Sequence, residues 1–204
     1  MKINWSYHIH TNYTHGQNSV DEIAAYCKKL NIQEVAMTEH IRLHSTYSFS
    51  KLQADALKAA KRYGIKIFTG LEAKIISNGQ LDLPKNLKVD VIIGSVHTWP
   101  KEVDLKVAYE LLAKSQAAII GHPQIVDEEI IKLFIKHKKV MEISYKYQLS
   151  DKQFTLIQQF PELRLSLGTD AHSLGEIRRA RVYFHRIIKQ YNLYSQLWRI
   201  GDRI

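Results

Sequence analysis

One cysteine among 204 residues, Cys27, excludes an internal disulfide framework and any zinc site built from thiolates. Prolines number only 4, and no proline- or serine-rich linker or low-complexity tract breaks the chain. No apolar run reaches the length of a membrane span, and Met1-Lys2 is not followed by the apolar stretch of a secretory leader. The expectation is a cytoplasmic protein with no membrane partner. Acidic residues are the scarcer charge: 20 Asp+Glu against 29 Lys+Arg leave a formal net charge of +9 with histidine neutral. The 45% hydrophobic and 24% charged residues are those of a folded globular chain. The length fits one domain over residues 1–204.

A basic balance suits nucleic acid, an acidic membrane surface, or a small anionic substrate such as a phosphate ester. The cations are scattered over predicted helices, with one denser patch at Arg178, Arg179, Arg181 and Arg186. No basic tract is interleaved with aromatics, as a nucleic-acid surface would usually require. Charge alone decides nothing.

Short apolar runs alternate with amphipathic segments of helical length. The runs Trp5–His10, Glu34–Thr38, Ile65–Glu72, Asp90–Val96, Ala117–Ile120, Val140–Ser144 and Leu163–Gly168 read as strands covered on both faces. Ser19 with Glu22, Ser50 with Gln53 and Ser150 with Gln153 have the spacing of capping boxes at helix starts. Gly64 fits a left-handed helix end. Further helices are expected at 103–115, 127–138 and 175–190, and a short one near 193–200. Seven units in 204 residues average about 29 residues each, the size of a compact βαβ repeat. Ser77-Asn78-Gly79 between short apolar stretches predicts a hairpin turn. An α/β barrel of seven units or an open parallel sheet fits this rhythm, and both place function at the carboxyl ends of the strands.

Those ends carry a consistent chemistry. His8 and His10 end the first strand, Glu39 and His40 follow the second, and Glu72 ends the third. His97 follows the fourth, His122 the fifth, and Asp170 with His172 the seventh; His15 lies in the first loop. The sixth strand offers only Ser144 and Tyr145. Gly70, Gly94, Gly121 and Gly168 lie just ahead of these groups, where a tight turn or close approach is needed. Imidazoles and carboxylates converging on one rim need a cation to hold them, and the N/O donor set suits Zn, Mn or Fe. Eight or nine donors exceed what one ion needs, so two or three ions are expected, with Glu72 or Asp170 bridging. Taken singly, each element has a plain structural explanation; six of seven strands ending in a ligand type does not. His137 and His185 fall within predicted helices as surface or boundary residues, and His44 is ambiguous. Cys27, on the stripe of Ile23 and Leu30, reads as a buried apolar residue.

His8-Ile9-His10, Thr38-Glu39-His40, Gly70-Leu71-Glu72, Ser95-Val96-His97, Gly121-His122-Pro123 and Thr169-Asp170-Ala171-His172 resemble, in order, the motifs of the PHP (polymerase and histidinol phosphatase) family. The resemblance spans nearly the whole chain. It implies a distorted (β/α)7 TIM-like barrel, a trinuclear metal centre at the carboxyl-terminal rim and phosphoesterase activity. The ligands it carries over are His8, His10, His15, His40, Glu72, His97, His122, Asp170 and His172. Two positions depart from the family pattern: Ser6 stands where an aspartate is common, and Glu39 where the second motif often has aspartate.

The expected reaction is hydrolysis of a small-molecule phosphate monoester, histidinol-phosphatase-like, by a hydroxide bridging two metals. Asp170, His172 and Glu72 are the candidate catalytic residues, with a histidine or Asp170 protonating the leaving alkoxide. Arg42, Lys74 and Arg178 are candidate phosphate contacts, and Trp99, Tyr47 and Tyr145 candidate pocket walls. A nuclease or phosphodiesterase acting on nucleic-acid ends is the alternative, weakened because no polymerase domain follows. A non-catalytic, metal-stabilised binding module is the third.

Overall fold

A computed structural model describes residues 3–45, 48–84 and 87–204. Seven parallel strands, in chain order, close into one barrel: β1 (Trp5–Ile9), β2 (Glu34–Ile41), β3 (Lys66–Lys74), β4 (Val91–Ser95), β5 (Ile119–Ile120), β6 (Val140–Ser144) and β7 (Arg164–Ala171). Helices α1 (Val20–Lys29), α2 (Phe49–Tyr63), α3 (Leu105–Lys114), α4 (Glu128–Lys136), α5 (Asp151–Gln158) and α6 (Leu174–Gln190) fill every connection but one. Between β3 and β4 stands the expected turn instead. Ile75 bridges Leu81 antiparallel, and Gly79 takes φ +82. Among the described residues, no helix is long and apolar enough to cross a membrane.

The strands are buried on both faces, which is why they read as continuous apolar runs. Outside the barrel, Leu112, Phe134, Ile157 and Phe184 pack α3 to α6 against it in one buried cluster. Ile23, Cys27, Leu52 and Ala56 pack α1 and α2 in a second. Cys27 is fully buried, as its helical stripe predicts.

Helix starts follow local polar chemistry. Both predicted capping boxes at Ser19 and Ser150 form, and Gly64 closes α2 with φ +60. The α2 start differs from expectation: Ser48 is the N-cap and accepts from Lys51 N–H, leaving Ser50 inside the first turn. Gln53 is then free of any capping duty and donates to the Lys88 carbonyl. A third box, Ser173 with Glu176, opens α6. The helix expected near 193–200 is only a 3-10 turn at Tyr194–Gln196; beyond it Trp198 N–H donates to the Leu165 carbonyl, turning the chain along the foot of β7.

At that foot Tyr7 donates its hydroxyl proton to Glu34, and Arg199 reaches Glu34 Oε2 at 2.7 Å. The Tyr7 phenol, desolvated and facing that carboxylate, is pushed well above its usual range. This group ties Arg199 to the barrel floor, opposite the rim where the histidines gather.

Candidate metal centre

β1 is distorted where it delivers its first histidine. Its pairing slips between Ser6 and Ile9 towards β2 and between Tyr7 and Ile9 towards β7, and His8 between them has φ +73. His122 (φ +30) and Asp170 (φ +45) also sit in left-handed backbone. Such conformations cost a non-glycine residue roughly 1–3 kcal/mol and cluster at functional sites. Here all three aim side chains at one carboxylate or at each other.

Glu72, only 1% exposed, is the hub. Its Oε1 lies 2.7 Å from His97 Nε2 and 2.9 Å from His122 Nε2. Its Oε2 lies 2.9 Å from His40 Nδ1, 3.3 Å from His8 Nε2 and 3.6 Å from His10 Nε2. Asp170 Oδ1 stands 3.2 Å from His10 Nε2, and the rings of His10 and His172 are 4.4 Å apart. Three overlapping groups each bring three donor atoms within 4.8 Å: His8, His10 and Glu72; His40, Glu72 and His97; His10, His40 and His172.

The donor set fits divalent ions. Several of its buried atoms, His8 Nε2, both nitrogens of His10, His40 Nδ1 and Glu72 Oε2, have no hydrogen-bond partner despite these short separations. Buried polar atoms are rarely left so. Lone pairs converging on shared points, rather than on one another, are what a cation satisfies, and imidazole with carboxylate suits Zn, Mn or Fe.

The protein alone polarises these groups strongly. Burial opposes charge on Glu72, but His8 and hydrogen bonds from His122, His40 and His8 outweigh it and hold the carboxyl well below its usual range. Burial likewise works against ionised Asp170, yet His10, His8 and Lys146 keep it low. Burial would lower the pKa of His8, but Glu142 and Glu72 raise it well above normal; His10, desolvated beside His8, falls to about 3.

Eight of the nine ligand candidates thus meet in one cluster. His15 lies at the edge: it is exposed and in none of the three donor groups, yet its ring stands 5.3 Å from that of His40, the separation of His97 from His40. Glu39 points away from the donors. It accepts from Thr11 N–H at 2.8 Å and from the Thr14 hydroxyl, bracing the loop that carries His15, and burial raises its pKa.

A cleft of about 360 Å3 opens above, lined by His40, Glu72, His97, His122, Asp170 and His172 together with Gln124, Lys146 and Tyr147. Of the expected phosphate contacts, Arg42 reaches the rim, its NH2 3.5 Å from His97 Nδ1. Arg42 Nε and Lys74 Nζ both pair with Asp82 Oδ2, each at 3.8 Å. Arg178 lies outside the cleft, in a groove with Arg179, Arg186, Tyr26 and Tyr145. Trp99 lines a neighbouring groove beside His97, and Tyr47 falls outside the described residues.

Three participants escaped sequence reasoning. Lys146 Nζ lies 3.0 Å from His172 Nδ1 and 3.5 Å from Asp170 Oδ2. The Tyr147 ring lies 4.7 Å from that of His122, tilted by 38°. Glu142 supplies the carboxylate missing from the sixth strand, from inside the strand rather than its end. A charged residue within a wholly buried strand is the signal that identifies Glu142; Lys146 and Tyr147 lie just beyond that strand's end, in the loop that Tyr145 opens.

The PHP domain family profile matches residues 6–199. The chain belongs to the PHP family. Within it, 25% identity over 193 residues relates the chain to the DNA polymerase/3'-5' exonuclease PolX of Bacillus subtilis, covering 82% of this chain and 34% of that protein. A probable phosphatase of Syntrophotalea carbinolica is 29% identical over 136 residues, covering 60% of this chain and 55% of its own length. The chain therefore spans between a third and just over half of these relatives. Among solved structures, a histidinol phosphate phosphatase of Lactococcus lactis complexed with zinc, L-histidinol and phosphate superposes with a TM-score of 0.75 at 15% identity, covering 95% of both chains. A two-domain protein of Bacteroides vulgatus with a predicted PHP-like phosphoesterase gives 0.51 at 12% identity, over 87% of this chain and 54% of that one. These likenesses establish the expected distorted (β/α)7 TIM-like barrel.

Proposed function

We propose that this PHP protein is a metal-dependent phosphoesterase that hydrolyses a small phosphate monoester. One observation carries the reading: buried, unpartnered histidine and carboxylate atoms in three overlapping groups beneath a cleft flanked by two cations, Lys146 and Arg42. Two or three divalent ions held by His8, His10, His40, Glu72, His97, His122, Asp170 and His172 would supply Lewis acidity, lowering the pKa of water and neutralising phosphoryl charge. The chain does the rest. Lys146 lines the cleft and Arg42 stands at its rim beside His97, cations that match a phosphate dianion. A volume of about 360 Å3 matches the lower end of small-molecule sites. Two relatives, the probable phosphatase and the histidinol phosphate phosphatase fold, are named for such chemistry.

Hydrolysis of nucleic-acid ends is the second reading. It is favoured by the exposed groove of Arg178, Arg179 and Arg186 with Tyr26 and Tyr145, and by similarity to the exonuclease PolX. Assay of p-nitrophenyl phosphate against its bis-ester separates the two, with His8→Ala and Asp170→Ala as controls. Turnover of the monoester that both substitutions abolish is the expected result; preference for the diester moves the assignment to the second reading. Equal turnover by all three proteins would mark the activity as contamination and overturn both.

A further inference from the structure

Glu142, on β6 and 1% exposed, reaches His8 of β1, His122 just after β5 and Gly168 of β7. Both of its oxygens are engaged. Oε1 accepts from His8 Nδ1 at 2.7 Å, and Oε2 accepts from the backbone N–H of His122 at 2.7 Å. These are two of the three left-handed residues of the centre. The third, Asp170, lies two residues beyond Gly168, where a Cβ would fall 1.7 Å from Glu142 Oε1. The glycine is thus the vacancy into which this carboxylate fits.

From this we infer that Glu142 is the positioning residue of the metal centre: by accepting from His8 Nδ1–H and His122 N–H together, it fixes which nitrogen of His8 faces the ions and where His122 stands. A carboxylate that holds the proton on Nδ1 leaves the Nε2 lone pair free, and His8 Nε2 is the atom 3.3 Å from Glu72 Oε2. A glutamine cannot substitute. It has one acceptor oxygen for two donors, so serving His122 N–H turns its amide N–H towards His8 Nδ1. That favours the proton on Nε2 and removes the lone pair from the site.

The inference rests on the metal-centre reading, and the experiment separates the two. Zinc affinity is measured by competition with a chelating dye for the wild type, Glu142→Gln, Glu142→Ala, Gly168→Ala and Glu142→Ala/Gly168→Ala; each fold is checked by circular dichroism melting in EDTA. Glu142→Gln is expected to bind zinc about 10- to 100-fold more weakly while its EDTA melt stays cooperative. Gly168→Ala, which leaves every ligand in place, is expected to match it by pushing the carboxylate off His8. Adding Gly168→Ala to Glu142→Ala should cause no further loss, because there is nothing left to displace. On EDTA-treated protein at a pH where the His8 ring is neutral, long-range 1H–15N correlation should find its proton on Nδ1 in the wild type and shifted towards Nε2 in Glu142→Gln, which a merely structural role would not produce.

Binding by Glu142→Gln and Gly168→Ala within about threefold of wild type overturns the assignment of Glu142 alone. Loss of zinc only together with loss of the fold in EDTA, in the double variant as well, makes Glu142 a fold-maintaining residue and also overturns it. A wild type that binds no zinc, manganese or iron overturns the metal centre and this inference together. Zinc binding without ester hydrolysis sinks the proposed activity and leaves Glu142 standing.

Discussion

Replacing Glu72 by glutamine keeps its shape and removes its charge. Glu72 belongs to two of the three donor groups, so two ion positions lose their shared carboxylate while that of His10, His40 and His172 keeps its donors. With free metal held at about a hundred times each dissociation constant, one bound ion stabilises the folded state by about 2.7 kcal/mol. Three ions, each at that excess over its own stepwise dissociation constant, would then contribute roughly 8 kcal/mol, and the variant would retain about a third of that. For a chain of 204 residues, each kcal/mol moves Tm by about 2–4 °C. Adding zinc to the EDTA-treated wild type should therefore raise Tm by roughly 15–30 °C, against about 5–10 °C for Glu72→Gln. Scanning calorimetry with and without metal reads both shifts. A variant that keeps the whole wild-type shift would refute Glu72 as the shared ligand.

Lys146→Ala should raise KM for a phosphate monoester about tenfold, the loss of one charge-assisted contact in a partly exposed site, with a smaller change in kcat. Steady-state kinetics beside Arg178→Ala checks it, since Arg178 lies outside the cleft; a larger effect at Arg178 would reverse the assignment. Gly70→Ala places a methyl 2.6 Å from the Val91 carbonyl, two residues before Glu72, and should cost about 1–3 kcal/mol in urea unfolding together with metal affinity. An unchanged unfolding midpoint would contradict that packing. Burial pushes the Cys27 thiol up to about 12. The folded state thus keeps its proton after the unfolded chain loses its own near about 8.5, so stability from this source is whole below that pH and declines above it. Wild type should lose about 2 kcal/mol more than Cys27→Ala between pH 7.5 and 10; parallel urea midpoints for the two proteins would refute it.

How far the sequence announced this centre depends on how each residue is held. Strand-end ligands such as His40 and Glu72 were legible because a parallel barrel presents every strand end on one rim. The closed barrel was legible from apolar runs, although β5 shrinks to Ile119–Ile120 where Ala117–Ile120 was expected. Glu142 was hidden because its importance lies in pairings across 134 and 20 residues, with His8 and His122. Lys146 was hidden because a loop lysine reveals nothing of where it points. The start of α2 was misjudged between two serines that sit two apart, where Ser48 takes the cap and Ser50 only bonds its hydroxyl at 3.1 Å.

The central claim is that the clustered histidines and carboxylates are the ligands of a polynuclear centre. Metal content of the purified, reconstituted and desalted protein, measured by inductively coupled plasma mass spectrometry, tests it most directly. Two to three equivalents of Zn, Mn or Fe, falling in His8→Ala and Asp170→Ala, are predicted; less than one equivalent in the wild type after reconstitution contradicts it.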